Sequence, residues 1–197
     1  MKVAIFSTHH FEKKFILLAN AGDPHELTFF DSALNEQTSP LANGFECVCC
    51  FVSDRLDAVT LQSLKQNGVR LIALRSAGYN NVDLEAANRL GLAVVRVPAY
   101  SPHAVAEHTV GLLLSLNRKV HKAYARVREL NFSLEGLVGF DLCGKTIGVV
   151  GTGRIGSVFA TIMKGFGCRV IAYDPNPNSN LVDSMGVTYV PLEERKS

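Results

Sequence analysis

The chain has 197 residues, of which 47% are hydrophobic and 19% charged, a balance typical of a globular protein that can bury a substantial core. Its formal net charge is only +2, because 20 basic residues are interspersed with 18 acidic ones, and this excludes the strongly basic surface of a nucleic-acid-binding protein. We therefore predict that the partner is a small molecule.

The N-terminal sequence gives no sign of export or membrane insertion. The apolar stretch after Met1 is too short for a signal peptide, and polar residues follow it at once. The apolar stretch 109–116 is flanked by Glu107 and Arg118, so it is too short to span a bilayer. We predict a cytoplasmic protein without a membrane partner.

The first half of the chain alternates short apolar runs with amphipathic stretches, the pattern of repeated βα units around a parallel sheet. Gly68 and Gly91 follow two of the amphipathic stretches, where a left-handed residue commonly ends a helix. The pattern predicts a small doubly wound domain. Its predicted strands are 3–7, 26–30, 47–52, 71–76 and 93–97, and its predicted helices are 11–20, 57–66 and 83–90.

Cys47 and Cys50 have the C-x-x-C spacing of some metal and redox sites. They lie within the predicted strand 47–52, however, where residues three positions apart face opposite sides of the sheet. We predict that these thiols fill the core and bind no metal.

A long helix is predicted to begin after Ser101, an N-cap residue followed by proline at the first helical position. Its first half, 104–116, is apolar on nearly every side, so we expect it to be buried between two domains. Its second half, from Arg118 to Arg128, is basic and should be solvated.

A second α/β unit follows, with predicted strands at 146–150, 169–173 and 187–190 and a helix at 155–166. The segment between the last two strands carries Pro175 and Pro177 and reads as a loop. A Rossmann dinucleotide-binding domain contains two such halves, and residues 100–197 supply little more than one. The half-built sheet leaves an unpaired strand edge near 187–190, so we expect either reduced stability or compensating self-association into a homo-oligomer, and the chain then ends in the polar run 192–197.

A glycine motif links strand 146–150 to the following helix. Gly151 permits a tight turn, Gly153 lets the backbone approach a pyrophosphate, and Gly156 lets the helix pack closely on the sheet. Asp174 ends the next strand at the expected interval, where it would bind the adenosine ribose and repel a 2′-phosphate. The motif predicts an NAD site in preference to an NADP site.

Four further segments accompany this motif: 74–83 (LRSAGYNNVD), 97–102 (VPAYSP), 104–108 (AVAEH) and 131–136 (NFSLEG). Together they closely resemble the fermentative D-lactate dehydrogenase branch of the D-isomer-specific 2-hydroxyacid dehydrogenase family. The resemblance runs from Met1 to about Pro191. It implies a flavodoxin-like substrate (catalytic) domain at 1–99 and an incomplete NAD-binding Rossmann domain at 100–197.

The resemblance also implies a role for individual residues. Main-chain amides of Ser76, Ala77 and Gly78 would bind the substrate carboxylate, with Tyr79 and Tyr100 beside the substrate. The cofactor would be held by the glycine motif and by further residues, namely Val105, Arg154, Ile155 and Asp174.

The family transfers a hydride between NAD and the C2 carbon of a D-2-hydroxy acid, converting D-lactate to pyruvate. Its histidine, glutamate and arginine catalysts come from later segments, which have no counterpart in these 197 residues. We therefore expect a truncated gene product or a fragment, without catalytic residues of its own. Two alternatives stay open: a dehydrogenase of another D-2-hydroxy acid, and a non-catalytic NAD-binding module.

Overall fold

A computed structural model of the protein describes residues 1–22 and 24–193. The chain divides into two compact units, Met1–Tyr100 and Ser101–Ser197. Within the part of the chain that is described, none of the helices has the length and apolar character needed to cross a membrane.

The unit Met1–Tyr100 contains a five-stranded sheet in the order β2-β1-β3-β4-β5, with every pair of neighbours parallel. This strand order is that of flavodoxin-like folds and confirms the predicted fold class. Each predicted strand is present but ends one to two residues earlier at its carboxyl end. The strands are β1 (Lys2–Ile5), β2 (Glu26–Phe29), β3 (Cys47–Cys50), β4 (Leu71–Leu74) and β5 (Ala93–Arg96).

Three α-helices connect these strands: α1 (His10–Ala19), α2 (Ala58–Gln66) and α3 (Leu84–Arg89). The Asp57 and Asp83 side chains accept hydrogen bonds from main-chain N–H groups in the first turns of α2 and α3, which fixes where these helices begin. Gly68 and Gly91 follow them with positive φ angles of 94° and 62°, as the sequence predicts. A 3-10 helix at Ser39–Ala42 was not predicted.

The two faces of this sheet contribute to separate apolar clusters. Cys50 belongs to the larger cluster, with Phe6 and the buried residues of α2 and α3, whereas Cys47 belongs to a smaller one with Val3 and Ile5. The prediction that the two thiols face opposite sides is confirmed. Burial raises the pKa of Cys47 to about 11, and no cluster of metal ligands occurs among the described residues.

The unit Ser101–Ser197 contains a three-stranded parallel sheet in the order β6-β7-β8. Its helix α7 lies in the segment that the sequence predicted to be a loop. Asn178 caps the start of this helix and Gly186, with φ +60°, ends it; seven residues are too few to show helical periodicity. The elements are α4 (Pro102–Asn117), α5 (Val120–Arg128), β6 (Thr146–Val150), α6 (Arg154–Gly165), β7 (Arg169–Tyr173), α7 (Ser179–Met185) and β8 (Thr188–Tyr189).

The prediction of one long helix from residue 102 is wrong, because the helix breaks between α4 and α5 at Lys119, whose φ is +55°. The Asn117 side chain bonds both the N–H and the carbonyl of Phe140, and Gly139 lies against the Asn117 carbonyl oxygen. That carbonyl is therefore covered where a continuing helix would need it as an acceptor.

The first half of this helix is only partly buried, and its expected burial between two domains stays a prediction. Ala106 and Val110 are buried, but Leu112 and Leu116 are 53% and 63% exposed. Only one side of α4 packs on the unit, mainly against α6.

The strand edge predicted to be open at 187–190 is one of two such edges. In the described residues both β6 and β8 have a single partner strand. In a doubly wound sheet of order 3-2-1-4-5-6, strand 4 lies beside strand 1, which corresponds to β6 here. The first strand of the second half of a Rossmann domain would therefore pair with the free edge of β6. Of the polar run 192–197, residues 194–197 lie outside the described residues.

Candidate functional site

The chain turns sharply at the carboxyl end of β6. Gly151 has a φ of +87°, a conformation that favours glycine, and its N–H donates to the carbonyl of Tyr173 at the end of β7 over 2.8 Å. This bond holds the turn at the edge of the sheet where ligands of parallel α/β sheets bind.

Helix α6 begins directly after this turn, with Gly153 as its N-cap. The main-chain N–H groups of Gly153, Arg154 and Ile155 donate to no acceptor among the described residues, as is usual for the first turn of a helix. Apart from Gly153 itself and its chain neighbours, no atom lies within 4 Å of the position that a Cβ on Gly153 would occupy. Free amides, the positive end of the helix dipole and open space together make a site for an anion.

Gly156 brings α6 close to the turn. A Cβ on this residue would overlap the carbonyl oxygen of Gly151 and lie 3.0 Å from its carbonyl carbon. Only glycine therefore allows the helix to begin so near the turn, as the sequence motif predicts.

A cavity of about 680 Å³ lies at this helix start. It is lined by the turn, by the end of β6 and by two residues that sequence reasoning missed, Thr109 on α4 and Phe159 on α6. Thr109 lies one helical turn after Val105, and its hydroxyl donates to the Val105 carbonyl over 2.8 Å. That i, i+4 spacing from a predicted site residue is the signal that could have found it.

Asp174 follows β7 and lies beside the turn. Its Oδ2 accepts the Thr152 main-chain N–H at 2.6 Å, and its Oδ1 accepts the Asn176 N–H at 2.8 Å. These donors, first Asn176 and then Thr152, lower the pKa of the carboxyl, so Asp174 is ionised at neutral pH. A fixed negative charge thus stands next to the anion site.

A second turn follows β4 in the unit Met1–Tyr100. The Ser76 hydroxyl donates to the Gly78 carbonyl over 2.7 Å, and the Ser76 carbonyl accepts the Val97 N–H over 3.1 Å. Among the described residues no acceptor bonds the main-chain N–H groups of Ala77 and Gly78. This turn offers free amide donors suited to a carboxylate.

Comparison with known proteins assigns the chain to a family. The sequence model of the D-isomer specific 2-hydroxyacid dehydrogenase catalytic domain matches residues 3–188. The chain belongs to the D-isomer-specific 2-hydroxyacid dehydrogenase family.

Individual members of the family are closely similar. The chain is 53% identical over 192 residues to D-lactate dehydrogenase of Escherichia coli, a match that covers 98% of this chain and 58% of that protein. The structure of the apo form of D-lactate dehydrogenase from the same species matches with a TM-score of 0.94 and 52% identity, covering 99% of this chain and 61% of that one. The chain thus spans about three fifths of the length of these relatives.

A more distant member has been solved with ligands. D-lactate dehydrogenase from Aquifex aeolicus, complexed with NAD and lactic acid, matches with a TM-score of 0.81 and 31% identity, covering 98% of this chain and 57% of that one.

The predicted site residues of this 2-hydroxyacid dehydrogenase chain form two local groups. Ser76, Ala77, Gly78 and Tyr79 lie together after β4, and the glycine turn and Asp174 lie together after β6 and β7. Two predicted residues stand outside these groups. Tyr100 is the last residue of the unit Met1–Tyr100 and is 62% exposed, and Val105 lies in the first turn of α4 without lining the cavity.

Arg75, which sequence reasoning missed, supports the turn that follows β4. Its guanidinium donates to the carbonyls of Phe6 and Ser7 after β1 and of Cys49 in β3, at 2.9 to 3.1 Å. It also forms a salt bridge with Glu12 of α1 at 3.1 Å, and the two side chains are only 13% and 16% exposed. Arg75 therefore joins three strand ends and a helix directly before Ser76.

Proposed function

We propose that this chain forms the substrate domain and the first half of the cofactor domain of an NAD-dependent dehydrogenase that interconverts D-lactate and pyruvate. The observation that carries this proposal is the turn 151–156, which places free amides at the start of α6 beside the ionised Asp174. Membership of the family supports it. We place the substrate domain at 1–99 and the cofactor domain at 100–197, and we retain a cytoplasmic location as a prediction.

The residues of the turn fit NAD. The amides of Gly153, Arg154 and Ile155 would bind its pyrophosphate, and Asp174 would accept hydrogen bonds from the adenosine ribose. A 2′-phosphate would face the fixed charge of Asp174, which disfavours NADP. When bound, the nicotinamide accepts or returns the hydride of the reaction.

The substrate carboxylate would be bound by the main-chain amides of Ser76, Ala77 and Gly78 after β4, with Tyr79 and Tyr100 beside the substrate. Arg96 would hold this turn in place. Its guanidinium carbon lies 5.4 Å from the Tyr79 ring centroid, and its guanidinium donates a hydrogen bond to the Ala77 carbonyl. D-lactate is the substrate that we propose, because a relative that is 53% identical to this chain is named D-lactate dehydrogenase.

A test of the cofactor site uses the 197-residue chain itself. We expect NADH fluorescence to report weak but saturable binding, and Asp174→Ala to weaken it about tenfold, since a hydrogen bond to a charged group contributes about 1.5 to 3 kcal/mol. Asp183→Ala, which removes an exposed carboxylate from α7 of the same unit, is the matched control and should leave the affinity unchanged. Equal affinities for the two variants would contradict the assignment of Asp174.

The same protein tests catalysis. The 197 residues contain no counterpart of the family's catalytic arginine, glutamate and histidine, so we expect no D-lactate-dependent reduction of NAD, measured at 340 nm. NADH binding without turnover would also fit the alternative of a non-catalytic NAD-binding module. Robust turnover would contradict our mapping of the catalytic groups.

We further propose that the chain self-associates through the segment that follows α5. Several apolar side chains of this segment are exposed to between 55% and 85%, and a group of exposed apolar side chains is typical of an interaction surface. They are Leu130, Phe132, Leu134, Val138 and Phe140.

Sedimentation velocity over a range of concentrations measures this association. We expect the unsubstituted chain to form a dimer or larger species, and Phe132→Ser with Leu134→Ser to shift it toward the monomer. Phe11→Ser, at a residue of α1 that is 70% exposed, controls for the general loss of an apolar side chain. A chain that stays monomeric, or a double variant that associates as before, would contradict the proposal.

A further inference from the structure

A chain of hydrogen bonds connects strand β8 to the carboxylate beside the glycine turn. The Asn178 main-chain N–H donates to Tyr189 Oη at 2.9 Å, and Tyr189 Oη lies 2.7 Å from Thr152 Oγ1. Thr152 Oγ1 in turn lies 3.2 Å from Asp174 Oδ2. Four residues from three separate segments thus form one continuous path, with Asp174 and Asn178 in the loop between β7 and α7.

The ionised state of Asp174 determines the direction of each hydrogen bond in this path. The ionised Asp174 carboxylate can only accept, so the Thr152 hydroxyl must donate to it. The oxygen of Thr152 must then accept from Tyr189, whose own oxygen accepts the Asn178 N–H. All three bonds point toward the carboxylate, and hydrogen bonds aligned in this way polarise and strengthen one another.

Thr152 connects the turn to Asp174 through both its backbone and its side chain. Its N–H and its hydroxyl both donate to Oδ2, while its carbonyl accepts the Ser157 hydroxyl at 2.7 Å. Thr152 is only 4% exposed, so water has little access with which to replace the partner that Tyr189 supplies. With Oδ2 doubly bonded and Oδ1 bonded to Asn176, the carboxylate is held in one orientation.

We propose that Tyr189 is a positioning residue for cofactor selection: acting through Thr152, it fixes the Asp174 carboxylate so that the site accepts the ribose hydroxyls of NAD and rejects a 2′-phosphate. The proposal rests on the cofactor site proposed above. It assigns a role in cofactor choice to β8, a strand outside the glycine motif.

A double-mutant cycle tests this role. NADH and NADPH affinities are measured by fluorescence for the unsubstituted chain, Tyr189→Phe, Thr152→Val and the double variant. We expect Tyr189→Phe to weaken NADH binding about fivefold, the usual effect of one lost hydrogen bond, and to change NADPH binding by less than about twofold. In the Thr152→Val background we expect Tyr189→Phe to have no further effect, because its path to Asp174 is already broken.

Two other variants separate this role from general damage. Thr152→Ser keeps the hydroxyl and should retain the preference for NADH, and Tyr124→Phe removes a phenolic hydroxyl from an exposed part of α5 and should bind like the unsubstituted chain. If Tyr189→Phe weakens NADH equally in both backgrounds, or weakens both cofactors equally, the tyrosine only packs β8 and the proposal is overturned. If the unsubstituted chain binds neither cofactor, the proposed cofactor site itself is wrong. That result differs from one in which NADH binds but the role of Tyr189 is overturned, so the two failures can be told apart.

Discussion

Replacement of Gly156 by alanine is expected to abolish measurable NADH binding and to destabilise the protein. The new Cβ would overlap the Gly151 carbonyl oxygen, which is backbone and cannot move aside as a flexible side chain would. Either the helix start must move outward or the turn must open, and both displace the amides that we propose bind the pyrophosphate. Overpacking of this kind costs about 1 to 3 kcal/mol of unfolding free energy.

Gly165→Ala provides the matched control for this experiment. Gly165 is the last residue of the same helix, and apart from its chain neighbours and the helix's own backbone no atom lies within 4 Å of its added Cβ. Alanine should be neutral or stabilising there, by up to about 1 kcal/mol, because it favours the helix. NADH titration and urea unfolding followed by circular dichroism measure the two effects. Unchanged NADH affinity in Gly156→Ala would show that the turn does not hold the cofactor.

Replacement of Arg75 by methionine should destabilise the unit Met1–Tyr100 by about 3 to 5 kcal/mol, the usual cost of removing one partner of a buried ion pair. The change leaves the Glu12 carboxylate without its cation and removes the donors to the carbonyls of Phe6, Ser7 and Cys49. Urea unfolding measures the loss. Hydrogen exchange of peptides from β1 and β4 would assign it to this unit.

Two comparisons make the result specific to the buried pair. Arg55→Met removes a partner of the Arg55–Asp57 pair, in which the arginine side chain is 78% exposed, and should cost less than about 1 kcal/mol. Adding Glu12→Met to Arg75→Met should recover part of the stability, since the unpaired carboxylate is then gone. Equal losses for Arg75→Met and Arg55→Met would show that the guanidinium does not join the strand ends.

The features that sequence determined by itself are those set by neighbouring residues. The apolar runs fix the strands, Asp57 and Asp83 fix two helix starts, and the glycines fix the turn before α6. The alternation of strands and helices predicts a parallel sheet, because parallel strands need a crossover between them. The fold class and the cofactor motif could therefore be predicted without a structure.

The sequence prediction failed at two helices, for two different reasons. The helix from residue 102 reads as continuous, yet it breaks where Gly139 and Phe140 close on Asn117. Helix α7 is too short for its periodicity to stand out in the sequence. The helix break depends on contacts that no window of neighbouring residues contains, whereas the caps of α7, Asn178 and Gly186, are local and were overlooked.

Tertiary structure alone decided which polar groups support the two turns. Arg75 meets Glu12 across 63 positions of sequence, and Tyr189 meets Thr152 across 37. Their side chains carry no pattern that would single them out. A hydrogen bond needs its donor and acceptor within about 3 Å in a suitable direction, and only the folded sheet brings the ends of separate strands that close.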